Sequence, residues 1–222
     1  MIHLTGDVHG DLSRFKQGKL FWLGKKDSLI ILGDFGFLWN GSSEEQKALE
    51  WLKKRRYKIF FLDGCNENFD LLNAYPVSEE FGGRVRHLGG NLYHVCRGSV
   101  LQLEGKKLLC FGGGETADKE EREEGFNWWP AEMPSDEEYA YCEKSLAACD
   151  HTVDYVLTHD APSRLLAFTG LPKGEENRLH AFLDKVILAT KYKKWYFGRY
   201  HKDLNLSPKA SCVFRQVIVL PE

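Results

Sequence analysis

The sequence predicts an α/β fold of two β-sheets packed face to face with helices outside, on three observations. Short runs rich in Ile, Leu, Val and aromatics recur, each stopping in glycine or in Asp, His or Asn. Several of these runs are separated by helix-like segments, and the middle of the chain reads as successive hairpins. Strands alternating with helices argue for layered sheets, in which ligands bind beyond the carboxyl ends of the strands.

Taken in order, Ile2-His3-Leu4 runs into Gly6-Asp7-Val8-His9-Gly10-Asp11, and a helix is expected over residues 12–21. Residues 28–32 are a buried strand that runs into Gly33-Asp34. Residues 43–56 follow as a helix, with Ser42 or Ser43 as N-cap and Glu44 and Glu45 in the first turn. Its basic end, Lys53 to Arg56, complements the helix dipole.

Residues 58–62 run into Asp63-Gly64-Cys65-Asn66-Glu67-Asn68. Strands over 84–87, 91–95, 100–103 and 106–111 make the hairpin-rich centre, with Glu104-Gly105 as a tight turn. The last of them stops in Gly112-Gly113-Gly114. A polar loop over 112–134, carrying Arg122, Trp128 and Trp129, is long enough to act as a lid. Helices over 135–148 and 177–190 flank a strand, 153–157, that runs into Thr158-His159-Asp160. Trp195-Tyr196-Phe197 then runs into Gly198-Arg199-Tyr200-His201, and residues 211–220 are a final β-run.

The length of 222 residues suits one domain spanning 1–222. Thirty Lys and Arg against 32 Asp and Glu leave a net charge of −2, which argues against a nucleic-acid or acidic-membrane partner. No apolar run approaches the ~20 residues of a membrane span. The six cysteines form no CxxC pair, and the start, MIHLTGD, lacks a signal-like pattern, so a cytoplasmic chain with reduced thiols is expected.

The strand ends would bring Asp7, His9, Asp34, His159 and His201 to one crevice. Such an oxygen and nitrogen donor set suits Mn, Fe, Zn or Ni better than Mg. Cys65 is either a thiolate ligand, which would favour zinc, or a small apolar filler. Arg199, two residues before His201, cannot bind a cation, but its guanidinium can fork onto phosphate oxygens. Asp11, Asn68 and Asp160 neighbour these motifs and are expected to hydrogen-bond the ligands. His3, His87, His94, His151 and His180 lie off the pattern and receive no role.

Read together, Asp7-Val8-His9, Gly33-Asp34, Gly64-Cys65-Asn66-Glu67, His159 and Gly198-Arg199-Tyr200-His201 resemble the ordered motifs of the calcineurin-like metallophosphoesterases: D-x-H, G-D, G-N-H-E, a later histidine and G-H-x-H. The resemblance covers nearly the whole chain. It implies a two-layer β-sandwich flanked by helices, a four-layer αββα arrangement, and a dinuclear centre that hydrolyses phosphomonoesters or phosphodiesters with a metal-activated water.

Carried over residue by residue, the resemblance gives the first metal to Asp7, His9, Asp34 and His201. For the second, Asp34 and His159 are present. Cys65 stands in place of an asparagine ligand, Asn66 in place of the histidine acid, and Arg199 in place of the last histidine ligand. A one-residue slip, with Asn66 as the ligand and Cys65 an insertion, is the alternative alignment. Losing the histidine acid typically removes a factor of about 10² to 10⁴ for poor leaving groups.

The expectation is therefore a phosphoesterase with one or two divalent transition-metal ions and an altered, mononuclear-type site. Cys65 joins Asp7, His9, Asp34, His159 and His201 as a candidate ligand, and Asn66 and Arg199 take the catalytic positions. The substrate would be a small phosphorylated compound such as a nucleotide. The competing expectation is a catalytically impaired chain that binds a nucleotide or protein partner in the same crevice.

Overall fold

The computed structural model describes residues 1–167, 169–172 and 176–221. In chain order these form β1 (Ile2–Thr5), α1 (Gly18–Phe21), β2 (Ser28–Ile31), α2 (Ser43–Lys53), β3 (Lys58–Phe61) and α3 (Phe69–Asn73). Five strands follow: β4 (Val77–Glu80), β5 (Gly83–Gly89), β6 (Leu92–Val95), β7 (Ser99–Leu103) and β8 (Lys106–Phe111). Then come α4 (Asp136–Ala147), β9 (Tyr155–Thr158), α5 (Ser163–Leu166), α6 (Arg178–Ala189), β10 (Lys194–Phe197), β11 (Leu204–Ser207), β12 (Ala210–Cys212) and β13 (Ile218–Val219).

The strands build two mixed sheets. One has seven strands in the order β13-β1-β2-β3-β6-β5-β4, the other six in the order β11-β12-β10-β9-β8-β7. Within the first, β1, β2 and β3 run parallel; within the second, β8, β9 and β10 do so. With β6 also parallel to β3 and β12 to β10, four neighbouring strands of each sheet end along one edge, and those edges carry the polar motifs.

Alternation of side chains along each strand divides the core into layers. Leu4, Ile30, Phe60 and Leu62 point from the seven-stranded sheet onto Leu108, Cys110, Leu157 and Tyr196 of the other. The odd neighbours, Leu29, Ile31, Ile59 and Phe61, point outward onto Leu49 and Leu52 of α2. On the far side Leu109, Phe111, Val156, Trp195 and Phe197 meet Tyr139, Cys142 and Leu146 of α4 and Phe182, Leu183 and Val186 of α6. Helices therefore cover the outer faces of two sheets that share an apolar interior. Among the described residues no helix is long and apolar enough to cross a membrane.

Several expected elements are corrected. Residues 12–21 are not one helix. Asp11 accepts from Ser13 N and caps a single 3₁₀ turn, Leu12–Phe15, after which Gln17 is extended and α1 opens on Gly18, left-handed at φ 59°. The helix expected over 43–56 stops at Lys53, whose carbonyl accepts from Asn91 N. The hairpin-rich centre is divided between the sheets, β5 and β6 in one and β7 and β8 in the other. The C-terminal run is two short strands, and β4 and β11, polar and partly exposed, carry too little apolar alternation to be foreseen.

Candidate functional site

Five loops meet where the two rows of strand ends face each other. The loop after β1 supplies Asp7 and His9, and the loop after β2 supplies Asp34. They are stitched together because Val8 N and His9 N both donate to the Asp34 carbonyl, at 3.0 and 2.9 Å. The loop after β3 adds a second clasp. Cys65 N and Asn66 N donate to Asp34 Oδ1 at 2.8 and 2.9 Å, and Asn66 Nδ2 donates to Oδ2 at 2.7 Å. That loop can approach so closely only because residue 64 is glycine; a Cβ there would lie 2.1 Å from Asp34 Oδ1.

From the second sheet, His159 follows β9 and Gly198 follows β10, so that Arg199 and His201 enter the same space. His9, Asp34, Arg199 and His201 all adopt left-handed backbone, with φ of 48°, 45°, 65° and 49°. Such conformations in non-glycine residues cost on the order of 1–3 kcal/mol each and persist where the surroundings over-determine them.

The side chains form two overlapping groups. In one, ligand atoms of Asp7, His9, Asp34 and His201 all lie within 4.8 Å of one another; in the other, those of Asp34, Cys65 and His159 do. Asp34 belongs to both. His9 Nε2 and His201 Nε2 stand only 2.8 Å apart, and His201 Nε2 lies 3.1 Å from Asp7 Oδ2.

Two buried atoms aimed into this space have no hydrogen-bond partner, Asp7 Oδ2 and His159 Nε2. His159 Nδ1 donates to the Leu32 carbonyl at 3.0 Å, and its Nε2 makes no hydrogen bond within the protein. A buried carboxylate oxygen and a buried imidazole nitrogen without a protein partner, beside Asp34, His9 and His201, are what a divalent cation would satisfy. The donor set fits Mn, Fe, Zn or Ni.

Charge in the site follows the same logic. Burial alone would raise the pKa of Asp34, but His159, the Asn66 hydrogen bonds and His9 outweigh it and hold the carboxyl below its ordinary value. Asp7 holds His201 above the usual imidazole value. Burial, reinforced by Asp34, pushes the Cys65 thiol well up, so without a cation the sulfur is a neutral S–H. Cys65 Sγ is 3.9 Å from Asp34 Oδ2, and both Cys65 and Asn66 face the site.

Arg199 is more constrained than its sequence suggests. Its backbone N–H donates to Asp7 Oδ1 at 3.0 Å, Nη2 donates to the Glu115 carbonyl at 2.5 Å, and Nε lies 3.4 Å from Asp160 Oδ2. Only the Nη1 edge, 3.8 Å from Cys65 Sγ, faces the metal-ligand group. Gly114 leaves room for it, since a Cβ there would sit 2.3 Å from Nη1.

Asp160 does not touch the ligands as expected; it braces the loop that carries them. It accepts from Tyr200 Oη at 2.6 Å and Ala161 N at 2.8 Å, and its Oδ2 lies 3.2 Å from His180 Nε2. Burial pushes Asp160 up, but the His180 hydrogen bond, Arg199 and Tyr200 overcome it and bring the carboxyl down to about 2. A depressed carboxyl contributes stability that is present above the unfolded pKa near 4 and lost as pH falls through the folded one. Between pH 5 and pH 2 the wild type should lose about 2 kcal/mol more unfolding free energy than Asp160→Asn. Urea melts across that range check it, and parallel curves for the two proteins would refute it.

Asp11 and Asn68 likewise contact no ligand: Asp11 caps the 3₁₀ turn, and Asn68 caps α3 while its Nδ2 donates to the Trp39 carbonyl. In the 112–134 loop Arg122 pairs with Asp118. Trp129 is buried, donates to Asp70 Oδ2 at 2.8 Å and packs edge-on against Trp39. The loop is thus tied down from Glu115 at one end to Trp129 near the other.

Two supporting residues escaped the sequence reading. Glu67, fully buried, accepts from Phe35 N at 2.6 Å and Gly36 N at 3.2 Å and so fixes the loop behind Asp34. His180 was set aside and yet braces Asp160. Their neighbours in sequence gave the only available signal, Glu67 by following the Cys65-Asn66 motif.

A search of protein-family models finds no match for the chain, and a search of curated proteins finds none.

Proposed function

We propose that the chain is a metal-dependent phosphoesterase of the calcineurin-like type, built on a four-layer αββα arrangement and altered at its second metal position. The observation that carries the proposal is the group formed by Asp7, His9, Asp34 and His201, with a buried unpartnered carboxylate oxygen and two facing imidazole nitrogens. These four residues would hold a divalent transition metal. When bound, such an ion supplies positive charge to phosphoryl oxygens and lowers the pKa of water.

The remaining residues define what the site does well and badly. The Nη1 edge of Arg199 places a permanent cation beside Cys65, where it can stabilise charge developing on a phosphoryl group. Asn66 offers an amide N–H but no transferable proton. Esters with good leaving groups should therefore turn over, and alkyl esters that need an acid should turn over slowly. Cys65 and His159, with Asp34, form the candidate second position, at which a softer ion such as zinc would be preferred.

The test pairs calorimetric titration with Mn²⁺ or Zn²⁺ with hydrolysis of 4-nitrophenyl phosphate and bis(4-nitrophenyl) phosphate. Cation binding with turnover supports the proposal; cation binding with no turnover leaves the competing reading, a binding protein on the same frame. As a companion prediction, Cys65→Asn combined with Asn66→His and Arg199→His should gain a second cation per chain and at least about tenfold in diester turnover. No gain in stoichiometry would argue that positions 65, 66 and 199 are not the ones that differ from the family motifs.

A further inference from the structure

A cleft of about 480 Å³ opens directly beside the metal-ligand group, lined at its inner end by His9 and Asn66. Its volume lies within the range that holds a small organic ligand. Because His9 belongs to the candidate cation group and Asn66 occupies the acid position, the part of a substrate that leaves from phosphorus would lie here. This step rests on the phosphoesterase reading; the character of the cleft does not.

Phe37, Trp39 and Ala48 give the cleft an apolar, aromatic part, and His9, Asn40, Ser42 and Asn66 a polar one. Trp39 is half-buried and held in place by the edge of Trp129, so it is a rigid face against which a ring can lie. Among the described residues lining the cleft there is no lysine or arginine, whereas Glu44 and Glu45 both line it.

The start of α2 borders the same space and would ordinarily attract a phosphate. Here a carboxylate of the chain, Glu45 in the first turn, already sits at that start. The Glu45 carboxylate accepts from Trp39 N at 2.9 Å, Asn40 N at 2.9 Å and Gly41 N at 3.3 Å, and Ser42 Oγ accepts from Glu45 N. Glu44 remains exposed at the rim, with its negative charge facing whatever enters.

We infer that this cleft selects phosphoesters whose leaving portion is aromatic and carries no further negative charge, neutral or cationic rings being accepted and polyphosphates rejected. A nucleoside di- or triphosphate would have to place its additional phosphates against Glu44 with no cation of the cleft to receive them. The expected substrate class is therefore an aryl phosphomonoester or diester, which also suits a site without an acid for the leaving group.

The experiment uses the full chain with saturating Mn²⁺ and three rigid probes of one shape: benzylphosphonate and its para-carboxylate and para-aminomethyl derivatives. Calorimetry should rank them aminomethyl, then unsubstituted, then carboxylate. The carboxylate should be about tenfold weaker than the unsubstituted probe at low salt, with the gap narrowing as salt rises. Glu44→Lys should reverse the order of the charged pair, and Trp39→Ala should weaken all three. Equal affinities, a preference for the carboxylate, or no binding of any probe would overturn the inference. Turnover of the matching aryl phosphates is read separately. Charge-ranked binding without turnover would refute the phosphoesterase reading and leave the cleft's selectivity standing; turnover indifferent to charge would do the reverse.

Discussion

Asp34→Asn should abolish tight cation binding at both positions at once, and no other single substitution in the site should do so. Asp34 is the one residue common to the Asp7-His9-His201 group and the Cys65-His159 group. Its carboxylate is aimed by Cys65 N, Asn66 N and Asn66 Nδ2, so an asparagine of the same shape can keep the two backbone hydrogen bonds to Oδ1 while losing the charge and the acceptor for Asn66 Nδ2. One unit charge at about 4 Å in an effective dielectric of about 20 is worth roughly 4 kcal/mol, or close to 10³-fold in affinity. By contrast His201→Ala should weaken only the first position and Cys65→Ser only the second. Calorimetric titration with Mn²⁺ and Zn²⁺, with circular dichroism as a control for folding, distinguishes these cases. An Asp34→Asn protein that binds either ion as tightly as wild type would end the case for a shared ligand.

The second large effect concerns stability. Arg97→Ala should lower the unfolding free energy at pH 7 by about 3–5 kcal/mol, the cost of leaving a buried charge without its partner. Arg97 is 3% exposed and donates Nε and Nη2 to Asp63 Oδ2 at 2.8 and 2.6 Å. It also reaches Glu138 of α4 and the carbonyls of Ala131 and Glu132, so it joins the first sheet, a helix and the 112–134 loop.

Burial acts to raise the Asp63 pKa, but Arg97 and His94, whose Nε2 is 2.9 Å from Oδ1, hold the carboxyl well below the ordinary range. That contribution is present above the unfolded pKa near 4 and is lost only in strong acid. Without Arg97 the carboxyl would protonate more readily, so the deficit of the variant should shrink from pH 7 to pH 4. Urea denaturation at the two pH values measures both quantities. A loss below about 1 kcal/mol at pH 7 would mean that His94 suffices for Asp63.

The parts of this molecule that were readable in sequence share a physical property: they depend on local repetition. Apolar runs ending in Gly-Asp, Thr-His and Gly-Arg foretold β1, β2, β9 and β10 and the loops after them, because a buried parallel strand needs little more than four apolar residues and a stop. The co-location of Asp7, His9, Asp34, His159, His201 and Cys65 followed from strand ends sharing an edge. What was not readable depends on distant partners. Nothing near Asp160 announces that Tyr200 and His180 will converge on it, and Arg199 looks free until Glu115 and Asp160 are brought beside it. The break at Gly18 was a local signal, a glycine inside an otherwise helical stretch, outweighed there by the surrounding pattern.

The left-handed backbone at His9, Asp34, Arg199 and His201 has a consequence for how such a site can change over generations. Asn, Asp, His and Gly enter that region with least penalty, while a β-branched side chain there is a steric outlier. The backbone thus restricts the alphabet from which replacements can be drawn before any question of chemistry arises. An arginine at position 199 passes that filter at a cost, with contacts from Glu115, Asp160 and Asp7 to hold it. Variation at these four positions is therefore channelled either toward glycine, which empties the position, or toward Asn, Asp and His, which bring a hydrogen-bonding or charged group with them.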